Sequence, residues 1–118
     1  MELNTILTLQ AGVDTEGAVR RFSGNSGLYE RFLNKFLSDP TFGMVTDAFK
    51  AGDEQLALTA THTFKGLTAN LGLTKLYNIS SDMVSLIRDG DYGAAAGTFP
   101  DLKAAYDEIC GILEKGLR

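Results

Sequence analysis

The sequence predicts an all-α fold, an up-and-down antiparallel four-helix bundle with short additional N-terminal helices, and three observations carry that expectation. Apolar residues recur at three- and four-residue spacing along most of the chain, the period of a helix buried on one side. No run of Val, Ile, Thr or aromatic residues alternates convincingly with polar ones, and Pro occurs only at positions 40 and 100. The connections between successive apolar stripes are short, which favours antiparallel neighbours. At 118 residues, 44% apolar and 22% charged, the chain fits one domain with a self-sufficient core, well away from disorder. No linker or repeat divides it. A single helical domain is expected over 1–118, with 1–22 as an N-terminal cover and 27–116 as the core of the bundle.

The elements follow in order. Residues 2–11 place Leu3, Ile6 and Leu7 on one side of a short amphipathic segment stopped by Gly12. Asp14 caps a second short helix through Phe22, and Ser23-Gly24-Asn25-Ser26-Gly27 reads as a loop. Leu28, Phe32, Leu33, Phe36 and Leu37 form the next stripe, ended by Asp39-Pro40. Phe42, Val45, Ala48 and Phe49 define a helix closed at Gly52. The Phe32/Phe36 and Phe42/Phe49 pairs are expected in the core. A long helix then runs from its cap at Asp53 through Leu71 to Gly72. Leu76, Ile79, Met83 and Leu86 continue beyond a very tight turn until Gly90. Asp91 can cap the last segment, but Gly93 and Gly97 weaken residues 92–98. Thr98 followed by Pro100 reads as a fresh start or a kink before the stripe Leu102, Tyr106, Ile109 and Leu113.

Charge and composition exclude several functions. The formal net charge is -4, and Lys and Arg are spread singly apart from Arg20-Arg21, so no basic footprint for nucleic acid exists. One cysteine, Cys110, and one histidine, His62, exclude an internal disulfide, a Cys/His zinc site and any centre needing two imidazoles. Cys110 falls beside Ile109 in a helical stripe and reads as a partly buried, inert thiol. Asp53-Glu54 and Asp107-Glu108 are neighbours that do not face each other on a helix and read as solvated surface. The glycines from Gly90 to Gly97 lack the GxxxxGK[ST] spacing of a phosphate loop. Met1-Glu2-Leu3-Asn4 lacks the basic start of a signal peptide, and no apolar run approaches the roughly 20 residues needed to span a bilayer. A reduced, cytoplasmic location is the expectation, with neither nucleic acid nor a membrane as partner.

The single histidine sits at an informative place. At about 100° per residue, Ala57, Ala60, Phe64, Leu67 and Leu71 cluster around one direction, and His62 points roughly opposite. Leu56 and Thr63 flank the cluster, while Gln55, Gly66 and Ala69 share the His62 stripe. A histidine packed into the main core is thereby excluded, whereas an ordinary surface histidine is not. Two neighbours argue for more. Lys65 lies at i+3, within side-chain reach of the imidazole. Gly66 lies at i+4 inside a helix, where it costs about 1 kcal/mol relative to Ala. A missing Cβ there lets a second molecule approach the ring, and the lysine offers charge to an anionic group attached to it.

The segment His62-Thr63-Phe64-Lys65-Gly66-Leu67-Thr68-Ala69-Asn70-Leu71-Gly72, with Ala60 as the leading small residue, resembles the signature of histidine-containing phosphotransfer (HPt) domains. The similarity extends without gaps through Leu76, Met83 and Arg88-Asp89-Gly90-Asp91 to Pro100, Leu102 and Tyr106. It implies a free-standing phosphorelay carrier in which His62 takes a phosphoryl group from the phospho-aspartate of one receiver domain and passes it to another. The resemblance further implies that Lys65 offsets charge on the phosphoryl oxygens and that Gly66 admits the receiver. A neutral imidazole with a reference pKa near 6.5 is an available nucleophile at cellular pH. No cofactor is expected in this chain; the magnesium ion would belong to the receiver, and a hybrid histidine kinase would stand upstream. The chain would be a carrier without kinase or hydrolase activity of its own, and a monomer.

Leu58, Thr59, Ala69, Leu73 and Arg88 are the expected partner-binding positions, with the apolar ones flanking His62 instead of facing the core. A contiguous apolar group around a nucleophile reads as a docking patch, although isolated surface apolar residues are ordinary. The sequence departs from the family at Leu67, where a smaller residue is common, and at Val84, where Gln or Glu often bonds the imidazole. Pairing across the turn at Gly72 sets residues 82–85 level with His62. Val84 cannot hydrogen-bond the ring, and Ser80, Ser81 and Arg88 lie on the same side of that helix. The alternative function is a helical interaction module that binds receivers without carrying phosphate.

Overall fold

A computed structural model describes residues 14–116. The helix expected over 2–11 lies outside the described residues, as does part of the N-terminal cover. Everything regular among them is helical, with no strand. Six helices follow one another there: α1 Thr15–Arg21, α2 Ser26–Phe36, α3 Thr41–Ala51, α4 Glu54–Asn70, α5 Thr74–Arg88 and α6 Tyr92–Gly116.

Local chemistry sets the boundaries. Side-chain oxygens of Asp14, Asn25, Asp53 and Asp91 accept from the backbone N–H groups of Gly17, Leu28, Leu56 and Ala94 at 2.9–3.1 Å. Each supplies an acceptor that the first helical turn lacks. The Asn25 cap starts α2 at Ser26, so the loop expected over 23–27 is shorter by two residues. Gly52, Gly72 and Gly90 close α3, α4 and α5 at φ values of 67°, 69° and 87°, a left-handed conformation that costs glycine little.

α6 corrects the expectation of a fresh start near Thr98. It runs without interruption for 25 residues with Pro100 inside. Tertiary contacts outweigh the two weak glycines: Tyr92 stacks on Phe49 at 5.6 Å, Phe99 meets Phe49 at 5.4 Å, and Ala95 is fully buried. At 1.5 Å per residue this helix is about 37 Å long, and it accounts for most of the 41 Å longest dimension.

α4 packs on α3 and α5, and α5 packs on α6. The core between them holds Phe64, Leu76, Met83, Leu102 and Ile109, all fully buried. Phe42 ties three helices together, stacking on Tyr106 of α6 at 3.9 Å and meeting Phe64 of α4 at 5.5 Å. Phe36 joins the same group through Phe64 and Tyr106. Phe32 does not belong to the core. It is 37% exposed, resting on Phe22 at 5.1 Å with the Lys35 ammonium above it.

The turn between α4 and α5 is held from outside. Four successive carbonyls, Ala69 to Gly72, lie at and just beyond the end of α4, where the helical ladder runs out, and each accepts from the N-terminal part of the chain. Arg21 donates to Ala69 O at 2.8 Å and Asn70 O at 3.3 Å. The Tyr29 hydroxyl donates to Leu71 O at 2.7 Å, and the Asp14 N–H to Gly72 O at 2.7 Å. The Arg21 charge also suits the negative end of the α4 dipole. α1 sits so close that a Cβ on Gly72 would meet Asp14 O at 2.5 Å. No helix among the described residues is long and apolar enough to cross a membrane.

Candidate functional site

α4 presents the site because its apolar residues leave one face free. Ala57, Ala60, Phe64 and Leu71 are buried as the helical period requires, and Leu67 is packed against them. His62 and Gly66 lie on the opposite, exposed face, together with Thr59 and Ala69. A Cβ built on Gly66 would meet no heavy atom of the described residues within 4 Å, so none of them fills the gap one turn from the imidazole. Leu58 is half-buried at the border of that face. The hydroxyls of Thr59 and Thr63 are turned back onto their own helix, donating to Gln55 O at 3.1 Å and Thr59 O at 3.0 Å.

Lys65 lies half-buried in the seam between α4 and α5. Its Nζ stands 5.8 Å from the centre of the Tyr77 ring, within the range of a cation–π contact. Arg88 is exposed at the end of α5. Thr61, next to His62, is fully buried, and its hydroxyl has no partner among the described residues.

Leu73 is a correction. The stripe through His62, Gly66 and Ala69 assigned it to the outer face, yet it is 0% exposed and belongs to the core. The helical count stops applying at Asn70, because the chain reverses at Gly72 and the Leu73 N–H donates back to Thr68 O. Ser80 is likewise withdrawn from the face, buried with its hydroxyl donating to Leu76 O at 2.7 Å. Val84 is 1% exposed and packs inward.

The electrostatics of the face were readable in the sequence and missed by motif reading. None of the chain's 15 Asp and Glu residues falls between Glu54 and Asp82, a span that contains His62, Lys65 and Lys75. Within α4 and the first half of α5, the local charge carried by the sequence is therefore positive, which favours an approaching anion. Ion pairs among the described residues join Arg20 to Glu16 and Lys103 to Asp107, leaving Lys65 without a carboxylate. Two large apolar side chains were also missed as exposed: Met44 of α3, 50% exposed, and Leu56 of α4, 46% exposed. Among the described residues no group of His, Cys, Asp and Glu is placed to hold a metal ion.

Cys110 is half-buried, as the stripe predicted, and burial pushes its thiol up, away from the reactive thiolate. An exposed imidazole, a cation one turn away and an open backbone together suit nucleophilic attack on a group delivered by another molecule. No family model matches the chain, and neither does any curated protein or solved structure.

Proposed function

We propose that the chain is a phosphorelay carrier, accepting a phosphoryl group on His62 from a receiver-domain phospho-aspartate and returning it to the aspartate of a second receiver. The observation that carries the reading is the exposed His62 beside the unfilled space at Gly66, within a stretch of sequence that carries no Asp or Glu. In the forward step a neutral imidazole nitrogen attacks phosphorus. The new N–P bond forms as the acyl P–O bond breaks, and the aspartate carboxylate leaves with the electron pair. The phosphoramidate keeps its transfer potential, so the same step runs backward toward a second receiver. Such transfer depends mainly on positioning and charge stabilisation. Lys65 supplies charge, Gly66 supplies access, and magnesium and the catalytic groups come with the receiver.

Leu58, Thr59 and Ala69 form the rim that a receiver covers, with Arg88 as an outlying cation. In this reading α3 to α6 are the four members of an up-and-down antiparallel bundle, with the N-terminal helices as its cover. The carrier is a cytoplasmic monomer without catalysis of its own, fed by a hybrid histidine kinase. Exposed Met44 and Leu56 favour a second reading, a receiver-binding module that carries no phosphate.

Incubation with a labelled phospho-receiver separates the two. The carrier gains an acid-labile, alkali-stable label, and His62→Gln gains none. Strong labelling of His62→Gln gives the acceptor role to another residue. A receiver bound without label on either protein favours the second reading.

A further inference from the structure

The geometry assigns Tyr77 a role that rests on the phosphocarrier reading: it is the positioning residue that holds the Lys65 ammonium in the α4–α5 seam, three residues along α4 from His62, without neutralising it. Lys65 extends into the α4–α5 seam, where its Nζ lies 5.8 Å from the centre of the Tyr77 ring. Both side chains are half-buried, so water screens the contact only in part. An unheld lysine samples many rotamers, and that freedom opposes any fixed placement of its charge.

The kind of partner matters as much as its position. An aromatic face attracts a cation through its quadrupole and brings no net charge. A carboxylate in the same place would hold the ammonium, cancel its charge and repel an incoming phosphoryl group. The sequence offers no Asp or Glu from position 55 to 81, and neither ion pair among the described residues involves Lys65. Tyr77 is itself well seated. Its N–H donates to Leu73 O at 2.9 Å, and its side of α5 borders a cavity of about 220 Å³ shared with Asp14, Arg21, Thr68, Ala69, Gly72 and Thr74, where the Asp14 carboxylate is taken up by the Gly17 N–H. The ring thus stands at the start of α5, beside the clamped turn and within reach of the lysine.

Phosphoramidate is the probe for this role, because it phosphorylates an imidazole without a partner protein. The His62 nitrogen bonds to phosphorus as the P–N bond of the reagent breaks, and ammonia leaves after taking up a proton. Rates followed by phosphorus NMR are compared for the wild type, Tyr77→Phe, Tyr77→Leu, Lys65→Ala and the Tyr77→Leu/Lys65→Ala double variant. Tyr77→Leu is expected to be slower by roughly two- to five-fold, the size of an exposed to partly exposed cation–π contact. Tyr77→Phe keeps the wild-type rate, and Tyr77→Leu adds nothing once Lys65 is gone.

A second readout needs no phosphate. Ring current shifts the Lys65 ε-methylene protons upfield in the wild type and Tyr77→Phe, and the shift disappears in Tyr77→Leu. Equal labelling of Tyr77→Leu and wild type overturns the role, as does equal slowing in both Lys65 backgrounds or a missing upfield shift in the wild type. A wild type that shows the shift but takes phosphate from neither phosphoramidate nor a phospho-receiver overturns the carrier reading instead, and Tyr77 loses its role with it.

Discussion

Gly66 is where folding and the proposed chemistry pull in opposite directions. A glycine inside a helix costs about 1 kcal/mol relative to Ala, and the open space around it means that an added methyl group strains nothing. Gly66→Ala is therefore expected to raise stability by about 0.5–1 kcal/mol, read as a higher urea midpoint. The same methyl occupies the approach to His62, so transfer from a phospho-receiver slows several-fold while labelling by small phosphoramidate keeps its rate. Unchanged transfer from the receiver in this variant would remove Gly66 from the site. The wheel made this residue legible, together with His62 and Lys65, because all three lie within one uninterrupted helix. It failed at Leu73, three positions beyond the end of that helix. It also failed at Phe32, because α2 has a narrow buried stripe through Tyr29, Leu33 and Phe36, and Phe32 sits at its edge.

Among the elements, the α4–α5 turn controls how the far half of α4 is presented. Gly52, Gly72 and Gly90 and the Asp caps made most helix limits readable from sequence, since those signals are local. The clamp on residues 69–72 was not readable. Its donors, Asp14, Arg21 and Tyr29, lie 42 to 58 positions earlier in the chain, beyond the reach of any helical pattern. Its members should differ in worth. Tyr29→Phe leaves the buried Leu71 carbonyl without this donor and is expected to lower stability by about 1–3 kcal/mol. Arg21 is exposed, so water can replace its guanidinium, and Arg21→Ala should cost less than Tyr29→Phe. Urea unfolding of both variants checks the order. Hydrogen exchange on the Arg21 variant should show lost protection around residues 69–73 before the core of α4 opens. An equal or larger loss for Arg21→Ala would place the holding force in charge at the helix end instead of in the buried hydroxyl.

At the scale of the molecule, the acidic and phenolic groups are segregated. No carboxylate falls between Glu54 and Asp82 in the sequence, while Tyr29 and Tyr106 are drawn toward the core. Burial pushes both phenols well above their ordinary value of 10.0, and Cys110 pushes Tyr106 further the same way. Burial also raises the Cys110 thiol above its ordinary 9.0. Each group therefore holds its proton more tightly in the folded chain than in the unfolded one. The stability this contributes is fully present below the unfolded values and is lost as pH rises past them toward the folded ones. The urea midpoint is expected to fall from about pH 9 upward, where the unfolded thiol and then the unfolded phenols begin to ionise. Tyr29→Phe starts from a lower midpoint at pH 7 but declines less steeply above pH 10, since Phe has no proton to lose. Midpoints measured at pH 7, 9, 10 and 11 check both slopes. An equally steep alkaline decline in that variant would show that the Tyr29 hydroxyl is already open to water in the folded protein, and the buried bond to Leu71 that holds the α4–α5 turn would have to be abandoned.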